Sequence, residues 1–599
     1  MSNIAERIAR LRALMEERNI DACLVPTSDY HESEYVGEHF ACRQYITGFT
    51  GSAGTALITG NWAGLWTDGR YFVQAAAELK DTGVELMKAG QPGVPALEEY
   101  LEQNLAAGSV LGFDGRVING RMGEDLKNRL ADKQISVNPG AALVDELWEN
   151  RPLLSAEPVW ILEEKYAGKA ATEKIKDLRQ KMAKRGADVH IITTLDDIVW
   201  LLNIRGGDTP CNPVVLSYLI VTQKELILFV NPAVISDEVQ AYLTNLGVTV
   251  RPYNDVYVYA AEIKNSRVLL EKGKVNFAIL SGLDESNRIL DQMNLTVLPK
   301  AIKNETEIEN MKIAHIKDGV TMTRFIYWMK KNIGKVPMTE CSAADKLDEM
   351  RLAGGALDLS FSTISAYGPN AAMCHYHAVP ETCATLEAKG LYLVDSGGQY
   401  LEGTTDITRT FALGPVTEKE REHYTLVLMS MLRLGNVKFL QGCSGLSLDY
   451  VAREVLWKRG LDYNHGTGHG IGYLLNVHER PAGIRFRVVP ERQDSAPFEA
   501  GMVCSDEPGL YIEGSHGIRT ENQMFCKKDE KNEYGQFLKF EFLTCVPIDT
   551  EPLDVSLMSK EDVACLNEYH AWVYETIAPH LDGEEKEWLR QVTQPVVKA

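Results

Sequence analysis

The sequence lacks basic blocks. Its 62 Lys and Arg residues stand against 83 Asp and Glu residues, which gives a formal net charge of -21 spread along the chain. A protein that neutralises nucleic-acid phosphates carries charge of the opposite sign. We therefore expect no nucleic acid among its partners, and the acidic excess by itself indicates only solubility.

Long apolar runs and a secretory leader are also missing. The segment Met1 to Ile20 mixes charges with Ile4, Ile8, Leu11 and Leu14, which predicts an amphipathic helix rather than a signal peptide. No later stretch approaches the roughly 20 apolar residues of a membrane helix. The 11 cysteines are an odd number, scattered without a C-x-x-C pair, so neither a disulfide framework nor a zinc ribbon is expected. These absences predict a reducing, cytoplasmic location and no membrane partner.

At 599 residues the chain exceeds what one hydrophobic core supports. Proline-containing joints over residues 148–160, 298–307 and 546–554 mark its divisions. Ile313, Ile316 and Val320 follow the spacing of a helix face after the second joint. We predict an α/β domain over 1–150, a second over 151–300, a catalytic domain over 301–545, and a helical extension over 546–599.

An internal repeat supports this division. The segment from Met15 to Thr27 resembles the segment from Met182 to Thr194, and each has the pattern of a helix, a turn and a buried strand. Each continues to an aromatic-led turn, beginning at Tyr45 in one copy and Trp200 in the other. Because the similarity extends past the first match, duplication explains it better than chance. Residues 1–150 and 151–300 are predicted to be related α/β domains with mixed sheets, and the Gly-rich stretch 49–55 is predicted to be a turn between strands.

Acidic residues follow apolar strand-like runs in the third domain. Asp395 ends the run that starts at Leu391, and Asp406 lies eleven residues later in a β-branched run. Aspartate is depleted in strands, so Asp406 requires a partner there. The two positions are predicted to face each other across a hairpin.

Three further segments carry chemistry-bearing side chains: His469 among alternating glycines, Glu507 before Pro-Gly, and Glu521 two residues after Arg519. Taken singly, each has an ordinary explanation as a turn or a satisfied polar residue. Together, four carboxylates and one imidazole form an oxygen-rich site that suits a pair of manganese, cobalt or zinc ions. Two such ions, about 3.5 to 4 Å apart, can activate a water at neutral pH.

The order Asp395, Asp406, His469, Glu507, Glu521, in these flanking motifs, resembles the metal site of the pita-bread metallopeptidases. That family includes methionine aminopeptidase, prolidase and Xaa-Pro aminopeptidase. The segments 65–71 and 200–212 are similar to the N-terminal domains of the three-domain Xaa-Pro aminopeptidases. The resemblance therefore implies an α/β (α+β) chain in which two creatinase-like domains precede a pita-bread catalytic domain.

The resemblance also implies roles for individual residues. Asp395 would hold one metal ion, His469 and Glu507 would hold the other, and Asp406 and Glu521 would bridge the two ions. Manganese is the expected metal, with cobalt or zinc as alternatives. Glu507, or alternatively Glu521, would carry the proton. The remaining roles fall to residues near the ligands: His375 and His478 in contact with the peptide and its developing oxyanion, His465 in the proline pocket, and Arg519 beside Glu521 or the substrate.

The implied activity is removal of the residue that precedes proline at a peptide N-terminus, by a homodimer joined through its C-terminal region. A prolidase, which cuts only dipeptides, is the first alternative. The length and the duplicated N-terminal half favour the three-domain aminopeptidase. A metal-free binding protein on the same fold is a second alternative, which the complete ligand set disfavours.

Overall fold

The chain folds into two compact units, seen in a computed structural model that describes residues 3–490 and 492–598. The first unit runs to Leu162 and resumes over Ala170–Thr296, and the second comprises Glu163–Lys169 and the chain from Val297 onward. Every helix in the described ranges is too short or too polar to span a bilayer. The boundaries 1–150, 151–300, 301–545 and 546–599 stay predictions.

The first sheet of unit one is six-stranded and mixed, in the order β4-β3-β2-β1-β5-β6. Alternate residues of its central strand enter different apolar clusters, Cys23 and Val25 in one and Ala22 and Leu24 in the other, so the sheet is covered on both faces. The predicted first helix is confirmed as α1, while Met1 and Ser2 lie outside the described residues. The elements are α1 (Asn3–Glu17), β1 (Ala22–Pro26), α2 (Cys42–Thr47), β2 (Thr55–Thr59), β3 (Ala63–Thr67), α3 (Phe72–Glu78), β4 (Glu85–Lys88), α4 (Leu97–Asn104), β5 (Val110–Gly112), α5 (Gly120–Ala131), β6 (Ser136–Asn138) and α6 (Leu143–Leu147).

The second sheet repeats this connectivity. Its order is β12-β11-β10-β8-β13-β14, and its central strand β8 again pairs antiparallel with one neighbour and parallel with the other. The shared topology confirms the predicted duplication. The elements are β7 (Trp160–Ile161), α7 (Glu164–Ala167), α8 (Ala171–Arg185), β8 (Val189–Ile192), α9 (Leu195–Leu202), β9 (Ile204–Arg205), β10 (Ser217–Thr222), β11 (Leu226–Val230), α10 (Asp237–Asn245), β12 (Thr249–Pro252), α11 (Asp255–Glu262), β13 (Arg267–Leu270), α12 (Phe277–Gly282) and β14 (Arg288–Asp291). Of these, α7 belongs to unit two.

The predicted aromatic-led turns are helix ends instead. Tyr45 lies in α2 and Trp200 in α9, and each helix is terminated by a left-handed residue, Gly48 with φ 78° and Asn203 with φ 51°. Glycine and asparagine adopt this conformation most easily, so they stop both helices at equivalent points. The stretch 49–55 accordingly connects α2 to β2 rather than two strands.

Unit two is built from antiparallel sheets. The largest has the order β21-β28-β27-β24-β22-β23, and a smaller one has the order β16-β17-β20. Its elements are α13 (Val297–Ala301), α14 (Glu305–Asn332), α15 (Glu340–Ala353), β15 (Asp358–Leu359), β16 (Ile364–Tyr367), β17 (Leu391–Ser396), β18 (Gly398–Tyr400), β19 (Gly403–Thr404), β20 (Ile407–Ala412), α16 (Glu418–Gly435), β21 (Lys438–Leu440), α17 (Gly445–Trp457), β22 (Gly468–Gly470), β23 (Glu479–Ile484), β24 (Val503–Asp506), β25 (Gly509–Ile512), β26 (His516–Arg519), β27 (Asn522–Asn532), β28 (Gly535–Phe542), α18 (Lys560–Ile577) and α19 (Gly583–Val592).

The C-terminal helices pack on this unit, as predicted. Leu566 and Val573 of α18 share an apolar cluster with Leu428 and Met431 of α16, and all four are at most 1% exposed. Burying such side chains contributes roughly 1.5 to 3 kcal/mol each. The extension is therefore part of the core of unit two.

Candidate active site

The two aspartates lie on neighbouring antiparallel segments, but they do not face each other as predicted, because Asp395 is opposite Thr408, two residues beyond Asp406. Strand β17 pairs antiparallel with β20, with Asp395 opposite Thr408, and Asp406 immediately precedes β20. Asp395 is 8% exposed and Asp406 is 5% exposed. Buried carboxylates must be paired or bound to a cation, so the hairpin alone does not explain them.

His469 and Glu507 come from neighbouring strands of the large sheet. His469 is the middle residue of β22, and Glu507 follows β24 with its amide donating to the carbonyl of Thr467 at 2.8 Å. The glycines around His469 are required by close strand approach, since a Cβ on Gly468 would lie 2.1 Å from the carbonyl oxygen of Ser505. The alternating glycines thus let β22 lie against β24, which aligns the two side chains.

Glu521 is held near the aspartates by β20, the strand that directly follows Asp406. Its amide donates to the carbonyl of Thr408 at 3.1 Å, and the Thr408 hydroxyl donates to Glu521 Oε2 at 2.7 Å. Glu521 is 1% exposed. One residue of β20 therefore fixes both the backbone and the side chain of Glu521.

These residues converge on one point. His469 Nε2 lies 3.4 Å from Asp406 Oδ2 and 3.3 Å from Glu507 Oε1. Ligand atoms of Asp406, His469 and Glu521 all lie within 4.8 Å of one another. Asp395 Oδ1 and Glu521 Oε1 are buried without a hydrogen-bond partner among the described residues. Unpaired buried carboxylate oxygens around an imidazole fit divalent cations.

The protonation of the site reflects this crowding. Burial raises the pKa of Asp395 to about 6, although Arg519 opposes the shift. Burial also raises the pKa of Glu521 well above its ordinary value, and Asp406 adds to the effect. Burial lowers the pKa of His469, but Asp406 and Glu507 outweigh it and raise the value to about 9. Without a metal, bound protons therefore offset the negative charge that metal ions would otherwise neutralise.

Arg519 contacts a different carboxylate from the one predicted. Its Nη2 donates to Asp395 Oδ2, rather than to Glu521. Its Nε donates to the Thr408 hydroxyl at 3.1 Å, so the link to Glu521 is indirect. Arg519 is 3% exposed, and its guanidinium also donates to the Tyr511 hydroxyl at 2.6 Å. These contacts favour a role in orienting the carboxylates.

The three predicted substrate histidines occupy different surroundings. His478 stands edge-on to His469, with ring centroids 4.2 Å apart. His465 Nε2 lies 2.8 Å from the Tyr511 hydroxyl, which connects it to Arg519. His375 is half-buried in the irregular segment before β17, and its neighbour Cys374 lies close enough to Tyr511 to influence the pKa of that hydroxyl.

A buried arginine ties the C-terminal extension to the site. Arg409 donates to the main-chain carbonyl of Glu521 at 2.5 Å and, through Nη2, to the Tyr569 hydroxyl at 2.9 Å. Nη2 also donates to the carbonyl of Val546 at 3.0 Å. Helix α18 therefore supports the strand end that carries Glu521.

Sequence reasoning missed Thr408, Tyr511 and Arg409. Thr408 follows Asp406 by two residues, and alternation along a strand places both on one face. That spacing could have indicated Thr408. Tyr511 and Arg409 carry no local signal, because the partners that tie them to Arg519 and Glu521 lie at least eight residues away in the sequence.

Family models match most of the chain. The Creatinase/Prolidase N-terminal domain matches twice, over residues 7–147 and 150–307. Metallopeptidase family M24 matches residues 309–528, and the C-terminal region of peptidase M24 matches 536–596.

Full-length relatives agree with this assignment. A probable Xaa-Pro aminopeptidase P from Botryotinia fuckeliana is 38% identical over 99% of this chain and 93% of its own. Aminopeptidase P2 from Arabidopsis thaliana is 38% identical over 99% of this chain and 89% of its own. The crystal structure of X-prolyl aminopeptidase from Caenorhabditis elegans, described as a cytosolic enzyme with a di-nuclear active site, superimposes with a TM-score of 0.93, at 35% identity and complete coverage of both chains. The chain therefore belongs to metallopeptidase family M24, and within it to the metal-dependent peptide hydrolases known as Xaa-Pro aminopeptidases P.

Proposed function

We propose that this protein hydrolyses the N-terminal peptide bond that precedes proline, using two divalent ions held by Asp395, Asp406, His469, Glu507 and Glu521. The convergence of these five buried or half-buried side chains, two of them with unpaired oxygens, is the observation that carries the proposal. The full-length similarity to aminopeptidases P supports the substrate class.

The ligand set divides by position. By the family resemblance, Asp406 and Glu521 would be shared between the ions, while Asp395 would complete one side and the pair His469 and Glu507 the other. When bound, such ions lower the pKa of a water and stabilise negative charge on a carbonyl oxygen. Manganese is the ion we expect, since a carboxylate-rich site suits it, and cobalt or zinc would be accepted.

Glu507 is the residue we assign to proton transfer. Burial raises the pKa of this carboxyl, but the surrounding basic groups, with His469 the largest contributor, together outweigh burial and lower it. Positive charge at His469, from a proton on its ring or from a metal bound to it, therefore keeps the Glu507 carboxylate deprotonated and able to act as a base. Glu507 would accept a proton from the attacking water as the water oxygen bonds to the carbonyl carbon. It would then deliver that proton to the prolyl nitrogen as the C–N bond breaks.

His375 and His478 would contact the peptide and steady the charge that develops on the carbonyl oxygen. His465 would line the proline pocket beside Tyr511. Burial lowers the pKa of His465 to about 4, so its ring is neutral at physiological pH and suits an apolar ring pocket. A shaped pocket is needed because the prolyl nitrogen has no N–H for a backbone grip. Arg519 is proposed to orient Asp395 and, through Thr408, Glu521.

The test is hydrolysis of Arg-Pro-Pro, the dipeptide Arg-Pro and Arg-Ala-Ala by metal-stripped protein, with and without manganese, cobalt or zinc. We expect metal-dependent release of arginine from Arg-Pro-Pro, with the other two peptides poor substrates. Cleavage of the dipeptide alone would identify a prolidase, and inactivity with every metal would favour a binding protein. The homodimer stays a prediction from the family resemblance, and the cytoplasmic location stays a prediction from the sequence.

A further inference from the structure

A fully buried carboxylate lies outside the proposed ligand set. Glu340 is the first residue of α15 and is 0% exposed. It does not cap the helix, because the Thr339 hydroxyl already accepts from the Ser342 amide at 3.1 Å. A buried carboxylate is costly unless its oxygens accept several hydrogen bonds. The partners of Glu340 therefore indicate what it does.

All of its side-chain partners come from one stretch of chain. Glu340 accepts from the Tyr367 amide at 2.6 Å, the Asn370 side chain at 3.0 Å, the Tyr376 hydroxyl at 2.8 Å and the Ala384 amide at 2.7 Å. One carboxylate thus fastens residues 367–384 at four points. The donors are neutral amides and a hydroxyl, so these hydrogen bonds fix the position of the segment and do not neutralise the carboxylate charge.

The fastened segment has little regular structure of its own. After a 3-10 turn over Gly368–Ala372 it runs without helix or strand until β17 begins at Leu391. Near Ala384 its backbone pairs with the start of α15, where the Glu340 amide donates to the Ala384 carbonyl at 3.0 Å. Before that point, side-chain contacts help to set its position. It carries His375, whose neighbour Tyr376 is 9% exposed and donates directly to Glu340. The hydrogen bonds of the Glu340 carboxylate to residues 367–384, called the Glu340 clamp below, therefore act one residue away from His375.

We infer that Glu340 is a positioning residue, which holds the backbone at Tyr376 so that His375 meets the peptide in a fixed orientation. This inference rests on the proposed function, because it gives Glu340 a task through His375. A carboxylate is required because its two oxygens accept about four hydrogen bonds, whereas a glutamine has one accepting oxygen. Glutamine would also direct an NH2 group at donors already in place.

The experiment removes a single hydroxyl. Tyr376→Phe deletes one contact of the Glu340 clamp, and we expect kcat/KM on Arg-Pro-Pro to fall about 10-fold, mostly in kcat, because small misplacements of a reacting group are costly. Metal content should stay close to the wild-type value, and any fall in Tm should be no larger than that of the control variant. Tyr392→Phe is the matched control, since its buried hydroxyl bonds to the Ser365 hydroxyl at 2.6 Å rather than to the Glu340 carboxylate.

A double-mutant cycle separates positioning from general loosening. In a His375→Ala background, Tyr376→Phe should have no further effect, because the side chain that it positions is gone. An equal 10-fold loss in that background, or an equal loss in Tyr392→Phe, would overturn the inference. Glu340→Gln gives a readout without catalysis, since hydrogen exchange should accelerate over residues 373–383 and stay unchanged in α14. If the wild-type protein fails to cleave Arg-Pro-Pro with any of the metals, the proposed function itself is wrong.

Discussion

The Thr408 hydroxyl offers the sharpest test of how the site is held. It donates to Glu521 Oε2 at 2.7 Å and accepts from Arg519 Nε at 3.1 Å, and all three residues are at most 3% exposed. Thr408→Val keeps the shape of the side chain but leaves a buried carboxylate oxygen and a buried N–H without this partner. Each unsatisfied group costs about 1 to 3 kcal/mol.

This cost should appear in metal binding. Outer contacts that orient ligands contribute about 10- to 100-fold to metal affinity, so Thr408→Val should weaken manganese binding by that factor. The assay titrates metal-stripped protein with manganese in competition with a chelating dye. The matched control is Thr410→Val on the same strand, because the Thr410 hydroxyl bonds to the main chain of Arg519, at 2.8 and 3.1 Å, and to no carboxylate. Equal affinities for the two variants would refute the reasoning.

Three further predictions follow from buried groups. Since the pKa of Asp395 is raised to about 6 and that of Glu521 well above its ordinary value, metal must displace protons, and metal affinity should increase with pH. Calorimetry of metal binding at pH 6.5 in two buffers of different ionisation enthalpy should detect the proton release, and heats that do not depend on the buffer would contradict it. Burial lowers the pKa of His570 from 6.5 to about 4, so the unfolded chain takes up the proton first as the pH falls, and this residue should lower the free energy of unfolding by about 2 kcal/mol between pH 7 and 5. In urea unfolding, His570→Gln should lose that pH dependence, and an unchanged dependence of the free energy of unfolding on pH would contradict the prediction. Tyr569→Phe removes the hydroxyl that accepts from Arg409 and should lower the free energy of unfolding by about 1 to 3 kcal/mol, and a loss within about 0.5 kcal/mol, typical of surface changes, would show that the bond is dispensable.

The sequence allowed the ligand set and the duplicated half to be predicted because both have local signals. Asp395 ends an apolar run, His469 is flanked by glycines, and the repeat preserves the order of helix, turn and strand. Such features depend on the nearest few residues, where chain chemistry dictates geometry.

What escaped prediction depends on partners distant in sequence. Glu340 at the start of a helix is an ordinary choice, and only the fold brings Tyr367 to Ala384, between 27 and 44 residues away, around its carboxylate. The sequence places Arg519 near Glu521 and leaves either Glu521 or the substrate as its partner, yet the strand pairing that puts Asp395 beside Thr408 gives it a different acceptor. Side-chain partners across a sheet follow register, and a single sequence does not state register.

The contact between Arg409 and Tyr569 has a consequence for the order in which the protein is made. All five proposed ligands have been translated once residue 521 is added, but the hydroxyl that helps fix the strand end at Glu521 belongs to a helix synthesised later. A nascent chain still tethered before α18 would present every ligand and lack the support that aligns one of them. A premature stop between residues 521 and 560 should therefore weaken the site without removing a single ligand.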